Sequence, residues 1–240
     1  MDEEYQKYDL VFKEKREVAH DTYEFTFEKP KNFSFIPGQN VKLYFHDLDE
    51  EKKHRTLTIA SAPYEEDLKV AMRIRESTFK KRLVAFKEGM VIEGVGPTGH
   101  KFFLHEDTSV PAVFIAGGIG VIPAFSIIKD VLKRNMPYTC VLFYSNRNEE
   151  DISYREELEA LAKAHENFTL VLTLTNCEPE EWKGEVGYID EDMITTYVKN
   201  IKDSMFYIAG APKMMFGMKD TLLDMGVPEE HLVTKKFTGY

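Results

Sequence analysis

Two short segments of this chain have the residue types that bring backbone close to a ligand. The first is Ala116-Gly117-Gly118-Ile119-Gly120-Val121-Ile122-Pro123, between an apolar run at 113–116 and a helical stretch at 122–134. Its glycines let the chain turn sharply and approach a ligand with no Cβ in the way. Amides exposed at a helix start then favour an anion such as a pyrophosphate. The pattern departs from GxGxxG, because Pro123 stands where the third glycine would be. A tight turn that binds nothing would show the same residues. The second segment, Ile208-Ala209-Gly210-Ala211-Pro212, leads from a strand into another helix. Ligands of open α/β sheets bind beyond the carboxyl ends of the strands. Two small-residue turns at that edge strengthen the nucleotide reading.

Other chemistries find little support. Cys140 and Cys177 are far apart and belong to no CxxC pair, so zinc, iron–sulfur and disulfide frameworks are not expected. Cys140 sits in an apolar run, where a free thiol is packing material. The histidines are scattered, with no metal-binding pair. A formal net charge of −10 argues against non-specific nucleic-acid binding. No apolar run reaches the roughly 20 residues that span a bilayer. The acidic N-terminus, Met1-Asp2-Glu3-Glu4-Tyr5, has no secretory pattern. A cytoplasmic protein is expected. At 240 residues, with 43% hydrophobic and 30% charged, the chain can bury a substantial core.

The elements that must position these turns fall into two halves. Residues 21–28, 41–45, 57–60, 68–75 and 90–95 read as short strands, broken by turn residues such as Pro37-Gly38-Gln39-Asn40. That spacing predicts an antiparallel barrel, with one short helix near 78–86. After about residue 109 the pattern changes. Apolar strands at 113–116, 138–144, 168–174 and 205–209 alternate with helices at 122–134, 154–165, 192–199 and 213–225. Such alternation implies a parallel sheet covered on both faces. The expected domains are residues 1–108 and 109–240. No flexible linker separates them, so they are expected to pack tightly and share a site at their interface.

Arg55-Thr56-Leu57-Thr58-Ile59-Ala60-Ser61 resembles the flavin-binding strand, Arg-x-Tyr-Ser/Thr, of the ferredoxin–NADP reductase superfamily. Gly96-Pro97-Thr98-Gly99 resembles its GPxG turn, 117–123 its GGxGxxP turn, and 208–212 its Cys-Gly-Pro turn. Phe237-Thr238-Gly239-Tyr240 resembles its carboxyl terminus. Each motif is weak alone, but their order across nearly the whole chain is specific. The resemblance implies an FAD-binding antiparallel β-barrel domain followed by an α/β nicotinamide-binding domain. It also implies hydride transfer between NAD(P)H and flavin.

On this resemblance Arg55 pairs with the FAD pyrophosphate, as a bidentate cation can. Leu57, Thr58 and Ile59 line the flavin, and the Thr58 hydroxyl lies near its N5. Arg73, Ile74, Arg75, Ser77 and Thr78 match the second flavin segment, with Gly99 at the barrel-closing turn. Without the family, Arg73 and Arg75 read as an exposed strand face. Gly117, Gly118, Gly120, Pro123, Gly210 and Pro212 form the nicotinamide side. Phe237 and Tyr240 are candidates for covering the flavin; core packing and a frayed end are the plainer alternatives. Three positions depart from the family: Leu57 replaces a tyrosine, Ala209 a cysteine and Lys235 a glutamate.

Ser145 and Arg147 match positions that hold the 2′-phosphate in NADP-preferring relatives, and Tyr154 is a candidate for stacking on adenine. The resemblance thus favours NADP over NAD, although Glu149, Glu150 and Asp151 follow closely. The electron partner is expected to be separate: a ferredoxin, a flavodoxin, an oxygenase component, free flavin or a ferric chelate. Basic clusters at 52–55, 80–82 and 235–236 suggest a positive collar that steers an acidic carrier. Two other readings stay open: an electron-transfer subunit of a larger complex, and a non-catalytic nucleotide-sensing module.

Overall fold

The computed structural model describes residues 5–49, 53–178, 180 and 182–237. The first half is a six-stranded antiparallel sheet in the order β4-β3-β6-β1-β2-β5. Its strands are β1 (Lys7–Ala19), β2 (Thr22–Glu28), β3 (Asn40–Tyr44), β4 (His54–Thr58), β5 (Asp67–Arg73) and β6 (Val91–Thr98). A short helix, α1 (Thr78–Val84), lies between β5 and β6. The edge strands meet through a bridge between Ile59 and Val70, which closes the barrel. Phe12, Phe25, Phe27, Phe45 and Phe79 fill it. Each such ring contributes roughly 1.5–3 kcal/mol by leaving water.

The sequence pattern missed β1. Its far half, Lys13-Glu14-Lys15-Arg16-Glu17, is charged throughout and exposed, and only Leu10 and Phe12 are buried. Tertiary pairing makes it a strand: Lys7–Val11 pair with β6, and the remainder pairs with β2. Tertiary context of this kind overrides a weak local pattern.

The second half is a parallel sheet, β10-β9-β8-β7-β11-β12. It comprises β7 (Ala112–Gly117), β8 (Cys140–Asn146), β9 (Phe168–Leu174), β10 (Glu185–Val186), β11 (Met205–Gly210) and β12 (Leu232–Lys236). The helices α2 (Val121–Lys133) and α3 (Arg155–Ala164) cover one face. The other face packs against α4 (Glu191–Tyr197) and α5 (Pro212–Asp224). β7 and β11 are neighbours, with Ala116 opposite Ala209, so their glycine turns lie side by side at the carboxyl edge. Among the described residues no helix is long and apolar enough to cross a membrane.

The two halves pack tightly, as expected. Ala60, Ala71 and Phe102 belong to the same buried cluster as α2. Ser126 Oγ on α2 donates to the Ser61 carbonyl at 2.7 Å, and Lys129 pairs with Glu65. Arg16 reaches Glu157 at 2.7 Å.

Candidate active site

Arg55 leaves the barrel-closing strand β4 half-buried. Its guanidinium donates to the His54 carbonyl at 2.7 Å and to Ser77 Oγ at 3.3 Å, above the Phe79 ring. Arg75 and Lys80 stand close by. Lys80 Nζ turns inward to the Arg73 carbonyl at 2.6 Å. Burial holds its amine below the usual lysine range, and the charges of Arg55 and Arg75 push it the same way. Among the described residues no carboxylate pairs with Arg55, Arg75 or Lys80. Among the described residues this cluster of like charges has no counterion, an arrangement whose repulsion an anion would relieve. Thr78 is exposed beside it.

Leu57 and Ile59 do not present side chains to this space. Both are buried in the barrel core. Strand alternation leaves Thr58 on the opposite face. Thr58 Oγ1 donates to Asn40 Oδ1 at 3.0 Å, and Lys235 Nζ donates to the same oxygen at 2.8 Å. Lys235 also donates to the Gly38 carbonyl at 2.8 Å. Burial pushes its amine down to about 7. Gly99, at φ +92, packs on the Asn40 amide: a Cβ there would stand 2.7 Å from Nδ2.

Lys235 carries this network from the second domain. It pairs in register with Ala209, and Phe237 N donates to the Gly210 carbonyl at 3.0 Å. β12 therefore joins Thr58 to the glycine edge. There Gly117 and Gly210 face a shared side chain. A Cβ on either would come within 2.8 and 2.7 Å of Met214 Sδ. Gly118 adopts φ +50. Gly120 has a different reason to be glycine, since a Cβ would lie 2.3 Å from the Ala209 carbonyl oxygen. It lets α2 start against β11. Pro123 is buried in the first turn of α2, and Pro212 opens α5.

The structure corrects two expected contacts. Arg73 points away from the cation cluster, to Asp151 Oδ1 at 2.9 Å on the second domain. Ile74 packs against the barrel core, and its amide donates to the Asp21 carbonyl of the same domain at 2.6 Å. Tyr154 is 1% exposed and stacks on Phe125 at 4.2 Å, so no ring face is open to an adenine. Ser145 and Arg147 remain accessible at the end of β8. Two of the three acids behind them are engaged: Glu149 pairs with Arg155, and Asp151 with Arg73.

The basic collar does not form as expected. Lys80 and Lys235 turn inward. Lys81 pairs with Glu76 at 2.6 Å and Arg82 with Asp47 at 2.5 Å. Lys52 and Tyr240 lie outside the described residues. Asn40 and Met214 are candidate site residues that sequence reasoning missed, and Lys80 was read there only as part of the 80–82 basic cluster. Asn40 had one signal, its place directly after the Pro37-Gly38-Gln39 turn.

Comparison with known proteins agrees with this architecture. Residues 114–220 match the family model of the oxidoreductase NAD-binding domain. NADH-cytochrome b5 reductase 1 of Candida albicans is 30% identical over 241 residues, covering 97% of this chain and 80% of that protein. The Na(+)-translocating NADH-quinone reductase of Marinomonas sp. has a subunit that is 34% identical over 160 residues, 65% of this chain. That match spans only 39% of the relative's own length. Among solved structures, a ferredoxin NADP+ reductase from Neisseria gonorrhoeae with bound FAD and NADP superposes with a TM-score of 0.81. It covers 96% of this chain and 98% of that one at 19% identity, which speaks for the fold. Two domains in this order, glycine turns at one sheet edge and a relative matched over 80% of its length lead to one conclusion: the chain belongs to the ferredoxin–NADP reductase superfamily of flavin- and nicotinamide-dependent oxidoreductases.

Proposed function

We propose that this chain oxidises NAD(P)H with a bound FAD and delivers the electrons to a separate carrier. The observation that carries the reading is the uncompensated cluster of Arg55, Arg75 and Lys80 beside Ser77. Three cations without a carboxylate fit a pyrophosphate, which replaces their mutual repulsion with attraction. Thr58 lies on the same strand as Arg55, at a position suited to the polar edge of a flavin ring. Gly117, Gly118 and Gly210 form a cradle with little side-chain bulk for a nicotinamide dinucleotide. Met214 covers that cradle and has to shift when a ring enters. Bound FAD supplies the hydride acceptor at N5 and can release electrons singly or in pairs. The protein's own contribution is to hold the two rings together and to exclude water.

For the dinucleotide, exposed Arg147 with Ser145 supports use of NADPH. Two of the three nearby carboxylates are neutralised by Arg155 and Arg73.

The test is an anaerobic absorbance spectrum of protein incubated with FAD, taken before and after NADPH and then NADH. Flavin bands that stay with the protein through gel filtration and bleach on adding nucleotide are the expected result. Protein that retains no FAD would overturn the reading.

A second reading, a reductase module within a larger redox complex, rests on the partial match to the Na(+)-translocating NADH-quinone reductase. Size-exclusion of native material distinguishes the two. A monomer that reduces a free carrier favours the first.

A further inference from the structure

Lys235 is a partly buried amine whose described neighbours are neutral. Among the described residues, the groups packed against it are the Gly38 carbonyl, the Asn40 amide, and the Phe102 and Phe237 rings. Among the described residues no carboxylate pairs with it, and no second cation contributes to its shift. An unpaired lysine in such a place loses more from desolvation than two carbonyl contacts return. Burial accordingly brings its titration down to about 7.

The hydrogen-bond polarity of its network is fixed. Asn40 Oδ1 accepts from Lys235 Nζ and from Thr58 Oγ1. A threonine hydroxyl has one proton, and here Asn40 takes it. Thr58 Oγ1 therefore offers only lone pairs to a group on its other side. Oxidised flavin presents an acceptor at N5, whereas reduced flavin presents an N–H there. An accepting hydroxyl suits the reduced ring.

We propose that Lys235 is a positioning residue that acts through Asn40: it holds Thr58 as an acceptor and places one positive charge behind it, so that a flavin bound against Thr58 is biased toward its reduced, more negative form. The proposal rests on the flavin reading above. It adds that the bias depends on pH, because an amine held between two neutral oxygens and two aromatic rings gives up its proton more readily than an exposed lysine.

The experiment is an anaerobic redox titration of FAD-loaded wild type, K235M and K235R at pH 6 and pH 9. At pH 6 the midpoint of K235M should lie below that of wild type. At pH 9 the two should converge, while K235R keeps a raised midpoint because a guanidinium does not titrate in this range. Coincident midpoints of FAD-loaded wild type and K235M at both pH values would overturn the proposal and leave the flavin reading intact. Wild type that takes up no FAD overturns both. If K235M fails to hold flavin, wild type alone decides. Linkage requires that flavin reduction raise the Lys235 pKa. Its ¹⁵N resonance, followed with pH in oxidised and reduced holoprotein, should titrate later in the reduced form, and an unmoved titration overturns the proposal.

Discussion

The Tyr154 hydroxyl donates to Glu24 Oε2 at 2.9 Å, across the seam between the two domains. Both residues are buried, at 1% and 2% exposure. Arg16 holds the other carboxylate oxygen at 2.8 Å and reaches on to Glu157. Burial and the Glu24 charge both push the phenol pKa well above its usual range, so it donates throughout the accessible pH range. Tyr154 also occupies the left-handed region, at φ 58, where a bulky residue is strained. Here the packing holds it there.

Tyr154→Phe keeps the stacking on Phe125 and removes one hydrogen bond to a buried carboxylate. Such bonds are worth about 1.5–3 kcal/mol. Chemical denaturation should show a loss of that size. In a double-mutant cycle with E24Q, the two losses should be less than additive.

The cation cluster gives a sharp contrast between two arginines. Arg55→Ala should weaken FAD binding by roughly 10- to 100-fold, as expected for a lost charge-assisted bond. Arg73→Ala should leave FAD affinity nearly unchanged and lower stability instead, because its partner is Asp151. Quenching of flavin fluorescence on titration measures the first effect, and thermal unfolding the second.

Two glycines at one edge should respond differently. Gly120→Ala drives a Cβ to 2.3 Å from a backbone oxygen, where little can yield. A loss of about 1–3 kcal/mol or more is expected. Gly117→Ala meets the flexible end of Met214, which can move aside. That variant should fold, and its defect should appear in nucleotide affinity measured by calorimetry.

Arg147→Ala should reduce affinity for NADPH about tenfold, the loss of one exposed phosphate contact. NADH binding should barely change. The ratio of the two dissociation constants is the measurement. An equal effect on both would place the 2′-phosphate elsewhere.

Lys235 also leaves a signature in stability. Its folded pKa, about 7, lies below that of an unfolded lysine, about 10.4. Between those values the unfolded chain binds more protons, so this group makes stability rise with pH. Below pH 7 the folded protein bears the full cost of a buried ammonium. Relative to wild type, K235M should therefore be more favourable at pH 6 than at pH 9. Thermal midpoints of both proteins at each pH give the comparison.

Much of this architecture was legible in the residue order. The two halves, the parallel strands 113–116 and 205–209, and the glycine turns that follow them are written in apolar periodicity and turn chemistry. Both signals are local, and backbone sterics makes them readable without a partner. β1 was not legible, because its charged half becomes a strand only between β6 and β2. Side-chain destinations were equally hidden. Arg55 near the start of β4 and Arg73 at the end of β5 are both strand arginines, yet one joins the cation cluster and the other crosses to Asp151. Tyr154 looked like an exposed stacking ring and is a buried strut. Asn40, Thr58 and Lys235 are distant in sequence, and they meet only because β12 adds to β11 and lays its lysine over the Gly38–Asn40 turn. Local propensity determined the elements of this protein. The pairing of strands far apart in the chain decided which side chains share a site, and which of them lose their water.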